Sequence, residues 1–258
     1  MSYLDLMGAL AERSARLLWR GGPSAVGGAL VAPLVLSGPL MVAGIVTMAM
    51  PVLVVVLVPL ALALPLSAYA AALAALTHAI DGKPSVNDAI EQTFDRPTLG
   101  LFWAVPLIGV LGLDAAFLVD AHRGRELAVD LVFGLVLLVC TVAACVAIGR
   151  IALALVVQFA EGPLDAVAVR ERVDELLGKK TFAPIFVLAP PGLVLGVAVA
   201  GWWNPIANET LLGLATLGAI FAAALLLAAM PPALYAVLRA AHQPDPLPAP
   251  RGEGVGPR

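Results

Sequence analysis

Between Gly21 and Ile80 the chain has no Asp, Glu, Lys or Arg, and only Tyr69 and His78 in that stretch can titrate. The hydrocarbon core of a bilayer is about 30 Å thick and is crossed by about 20 helical residues, each rising about 1.5 Å. The sixty residues of this run would extend about 90 Å as helix, so they must cross at least twice. Without water to solvate its backbone the run must be helical. Charge is scarce elsewhere too. Charged residues make up 13% of the chain and hydrophobic ones 61%, against about 25% charged in soluble domains. That excludes a water-soluble globule and makes the lipid bilayer the expected solvent.

Other scarcities exclude other classes. Lysine occurs only as Lys83, Lys179 and Lys180, and with a net charge of −3 no basic block offers a surface for nucleic acid. The two cysteines, Cys140 and Cys145, are five residues apart, about 140° around a helix. Buried free thiols are therefore expected, with neither a disulfide nor a metal site. His-Glu-x-x-His, a phosphate-binding loop with Lys, Gly-x-Ser-x-Gly and Cys-x-x-Cys are all missing. Within the expected spans the serines are Ser37 and Ser67, with no histidine beside them. His78 and His242 fall at cytoplasmic helix ends and His122 in an outer turn, as interface residues. No catalytic, cofactor-binding or metal-binding residue is assigned, and an enzyme is not expected. A cleavable signal peptide is not expected either, since Asp5 and Glu12 interrupt the first twenty residues.

What is present is a series of apolar runs separated by polar connectors. Residues 1–20 read as an interfacial amphipathic helix, with Tyr3, Met7, Leu10, Leu17 and Leu18 on one side and Asp5, Glu12, Arg13, Arg16 and Arg20 on the other. Gly21-Gly22-Pro23 should break it. Residues 21–240 form the membrane domain. Two spans, about 25–47 and 52–78, turn at Met50-Pro51, where proline lacks the amide of an unbroken helix. In the connector after Ile80, Ser85 and Asp88 suggest a capped short helix whose apolar face is Val86, Ile90 and Phe94. The third span is 98–119. The fourth runs from Leu127 to Ala160, longer than the bilayer, so that it protrudes with Arg150 near the headgroups. A second connector, 161–180, carries an apolar stripe of Val169, Val173, Leu176 and Leu177, with Gly178 as helix stop. Residues 181–201 make the fifth span, kinked at Pro190-Pro191, and 210–238 the sixth, containing Pro231-Pro232. From 241 to 258 the chain reads as a disordered tail. The expected fold is thus an all-α, polytopic bundle of six transmembrane helices in three hairpins, with short interfacial amphipathic helices.

Twelve Lys and Arg fall on one side of this layout and two, Arg123 and Arg125, on the other. The positive-inside rule then places both termini in the cytoplasm of a cell whose inner membrane holds the protein. Pro65-Leu-Ser-Ala-Tyr69-Ala70 is echoed by Pro231-Pro-Ala-Leu-Tyr235-Ala236, in two helices that both run toward the cytoplasm. Gly27, Gly28, Gly38 and Gly44 are expected where helices approach closely.

Four polar residues fall within or beside the spans: Asp114, Asp130, Arg150 and Gln158. Intramembrane polar groups mark transport paths by default. Asp114 lies about 9 Å from Asp120 along the helix and is expected to reach Arg123 or Arg125 as an outer-leaflet anchor.

The Arg16-Leu-Leu-Trp19 run, Pro65 to Ile80, Phe94 with Arg96, Asp114 in its Leu-x-Leu-Asp setting, and Gln158-Phe159 closing a long span together resemble the YesL-like family of predicted bacterial integral membrane proteins. That resemblance covers roughly residues 15–240 and implies an accessory role beside carbohydrate uptake systems. Two functions are weighed. One is a non-enzymatic accessory or assembly protein acting with other membrane proteins or a second copy of itself. The alternative is a permease-type subunit whose helices form a translocation path. No cofactor is expected in either case.

Overall fold

A helix in lipid survives residues that would end it in water, and the first element illustrates this. In the computed structural model, which describes residues 2–49, 54–82, 85–95, 127–162, 164–201 and 209–242, helix α1 runs unbroken from Tyr3 to Ala49. Ser2 caps it: its hydroxyl accepts the Asp5 amide at 3.2 Å, and the Asp5 carboxylate accepts the Ser2 amide at 2.9 Å. The break expected at Gly21-Gly22-Pro23 does not occur. Gly21 is pressed against the chain following α2 (Val54–His78), where an added Cβ would lie 2.8 Å from Ala79 Cβ. The close neighbour holds the helical path at Gly21, while Pro23, which has no amide to donate, sits on the exposed face of the helix.

Helix α3 is Val86–Asp95, α4 Leu127–Glu161, α5 Ala166–Leu177, α6 Ile185–Gly201 and α7 Glu209–His242. No strand occurs among the described residues. The six spans in three hairpins are not matched. Four helical stretches among the described residues are long and apolar enough to cross a membrane: Tyr3–Gly38, Ala63–Asp81, Gly134–Glu161 and Leu212–His242. The expected third span, 98–119, lies outside the described residues. The expected fifth corresponds to α6, whose 17 described residues are not among these four. The described residues nevertheless form a helical bundle whose long elements carry extended apolar stretches, as a multi-pass membrane protein requires.

Two helix pairs dominate the packing, α1 with α2 and α6 with α7. Helix α7 also touches α1, α2, α4 and α5, so it is the central element. One contiguous core joins the first half of α1 (Leu6, Leu10, Leu17) to the last turns of α2 (Leu73, Leu76) and of α4 (Leu153, Val156). It continues through α5 and the start of α6 (Val187) to the end of α7 (Leu234, Tyr235, Leu238). These helix halves therefore share one end of the bundle. The opposite halves expose Leu34, Met41, Leu138 and Leu217 over more than half their surface, the stripe a lipid-facing helix presents. Cys140 is exposed on this apolar half and Cys145 half-buried, where buried thiols were expected.

Glycine sets the closest approaches. A Cβ on Gly28 would meet Ala71 Cβ at 3.3 Å and one on Gly27 the Val86 side chain at 3.2 Å, whereas Gly38 and Gly44 would meet nothing within 4 Å. The tightest position is Gly149 of α4, where a Cβ would fall 2.3 Å from the Pro184 carbonyl oxygen. Gly149→Ala should therefore destabilise the fold by about 1–3 kcal/mol, read as thermal melting in detergent, with Gly38→Ala close to neutral. Equal melting of the two variants would show that α4 and the entry to α6 do not meet as described.

Candidate functional site

The densest polar cluster lies where α4 ends, α5 lies across it and α7 passes beneath. Its sequence logic is local. Asp165 caps α5 by accepting the Ala168 amide at 2.7 Å, and Gly178 ends it with φ of 49°, a conformation that favours glycine. Val169, Val173, Leu176 and Leu177 are buried beneath α5, so the stripe expected from spacing is the one that packs. That orientation turns Arg172 and Asp174 toward α4. Arg172 Nε donates to both carboxylate oxygens of Glu161, at 3.1 and 3.0 Å, and its Nη1 to Glu175 at 2.6 Å. Glu175 first, then Glu161, hold the guanidinium further into its charged form than usual. The Tyr235 hydroxyl donates to Glu161 at 2.9 Å, and Arg239 stacks 5.9 Å from the Tyr235 ring centroid. Arg150, three turns up α4 from Glu161, pairs with Asp174.

Glu161 thus takes a tyrosine hydroxyl from α7 and a guanidinium from α5 on one carboxylate. The groups satisfy one another, which makes the cluster a clamp holding α5 to α4 and α7. Compared with protein-family models, curated proteins and solved structures, the chain matches none of them.

Of the four residues singled out by sequence, Arg150 is the clamp's second ion pair. Gln158 is half-buried on α4, about 12 Å further along the axis. Asp130 is the fourth residue of α4, and its side chain lies outside the described residues, as does Asp114 altogether. Glu161, Arg172 and Tyr235 were not marked as site residues. Tyr235 stood out only through its place in the Pro-x-x-x-Tyr-Ala echo. On α3 the Ser85 hydroxyl accepts the Asp88 amide at 3.3 Å, as expected, but Ala89 and Thr93 are the buried residues, with Val86 and Ile90 half-buried. His78 Nε2 at the end of α2 and Gln92 Oε1 on α3 are buried without a hydrogen-bond partner. Among the described residues no three His, Cys, Asp or Glu side chains gather as a metal site would need.

A double-mutant cycle on Tyr235→Phe and Glu161→Gln should give a coupling of about 1–2 kcal/mol, the range of a hydroxyl bonded to a carboxylate. Additive losses would show that the two side chains contribute separately.

Proposed function

We propose that this is a bacterial inner-membrane protein of non-enzymatic, accessory or assembly type that acts beside another membrane complex, with both termini in the cytoplasm. The observation carrying this reading is how the core disposes of its polar groups. The buried hydroxyls of Ser14, Ser67, Thr77 and Thr93 donate to Ala11, Leu64, Leu73 and Ala89 at 3.0, 2.8, 2.8 and 2.7 Å, each within its own helix. A translocation path needs polar side chains or unwound backbone turned toward a cavity, and these four hydroxyls, bonded to their own helices, contribute nothing to one. Where α2 meets α7 the core is rich in alanine: Ala70 to Ala75 apart from Leu73, then Ala79, Ala228, Ala229 and Ala233. Small residues let helices approach closely without a hydrophobic force between them, which suits a scaffold. The accessory role is also what the YesL-like resemblance implies. Orientation rests on the basic residues of the packed end, among them Arg13, Arg16, Arg20, Arg170, Arg172, Lys179, Lys180 and Arg239.

Affinity purification in mild detergent should recover a second membrane protein in fixed proportion. Recovery of the chain alone, together with solute uptake by proteoliposomes containing only this chain, would instead establish a permease. Reporter fusions after Gly178 and after His242 should both report cytoplasm, and an external report at both would reverse the orientation.

A further inference from the structure

Pro231 and Pro232 are buried inside α7, and neither has an amide hydrogen. The carbonyls four residues back, Leu227 and Ala228, therefore lack the donors that an unbroken helix supplies. Their surroundings are apolar: Ala228, Ala229, Met230, Ala233 and Leu234 are all buried. The Tyr69 hydroxyl, on α2, is directed at the Leu227 carbonyl at 3.4 Å, beyond the usual O–H···O range of about 2.5–3.0 Å and so a long, weak bond. We propose that Tyr69 replaces the amide that Pro231 lacks, a latch by which α2 holds the proline break of α7.

The opposite side of the break is held as well. Tyr235 reaches Glu161 of α4, so residues 227–235 of α7 lie between a tyrosine hydroxyl arriving from α2 and another leaving for α4. Tyr69 and Tyr235 occupy equivalent places in the two Pro-x-x-x-Tyr-Ala stretches. The tyrosine of the first stretch closes the carbonyl opened by the proline of the second. Proline breaks are where helices bend.

The test is a thermal-melting cycle on the purified full chain with Tyr69→Phe, Pro231→Ala and the double variant, paired with amide exchange over residues 229–235. In the presence of Pro231, Tyr69→Phe should lower the melting temperature by about 2–4 °C and speed exchange around the break. In the Pro231→Ala background the same change should have no measurable effect, because the restored amide serves Leu227 directly. Equal losses in both backgrounds, or no loss in either, would overturn the proposal. A Tyr69→Phe variant too unstable to purify, beside a double variant that purifies normally, is the expected result in a stronger form; failure of both overturns it.

Discussion

A backbone immersed in hydrocarbon has no water to bond to, and most of this architecture follows from that one constraint. Long helices are the solution open to the uncharged run from Gly21 to Ile80. The same constraint keeps α1 helical through Gly21, Gly22 and Pro23, because leaving the helix would free further amides and carbonyls with nothing to receive them. Where proline removes an amide inside α7, a tyrosine hydroxyl from a neighbouring helix meets the carbonyl left over. The four buried hydroxyls obey the same rule in the other direction, bonding back onto carbonyls of their own helices.

Charge is sorted by the same physics. Carboxylates and guanidinium groups gather at the packed end, where α3 and α5 cross the termini of the long helices. There they work in pairs. The ion pairs of α5 are partly exposed, the Arg172 and Glu161 side chains at 34% and 25%, so each adds little by itself. Their value lies in position: they orient a short amphipathic helix whose four buried apolar residues supply the adhesion. Removing the apolar stripe would detach α5, whereas removing one charge would let it slide.

How much of this could be read from the residues depends on range. Helix α5 was legible in detail, its stripe from spacing and its end from Gly178, because both signals act within one or two turns. The extent of α4 was legible from the apolar run between Glu126 and Glu161. The continuity of α1 was not, since Gly-Gly-Pro is a local stop and the contact that overrides it, Gly21 against Ala79, joins positions far apart in the chain. Span number differs in two places: the expected third span lies outside the described residues, and α6, although apolar, is not among the four stretches long and apolar enough to cross. The clamp was half visible: Arg150 was marked for its isolation, while its partner Asp174 looked like one acid among several on a solvated connector. Gly149 gave no sign of its closeness to Pro184, for a glycine in an apolar run has the same appearance whether or not another chain segment rests on it.

The alanine core has a consequence for how such a chain can vary. A core of large, shaped side chains ties each position to particular neighbours, since exchanging one leaves a cavity or a clash. Here the buried surface of α2 is mostly alanine methyl groups, and the buried hydroxyls bond to carbonyls of their own helices. Alanine, serine and glycine can then replace one another at many of these sites without altering the distance between helices. Inheritance would preserve the volume of each such position and lose its identity, leaving the directional residues, Tyr69, Tyr235, Glu161 and Arg172, beside the buried leucines and valines as the durable record of the fold.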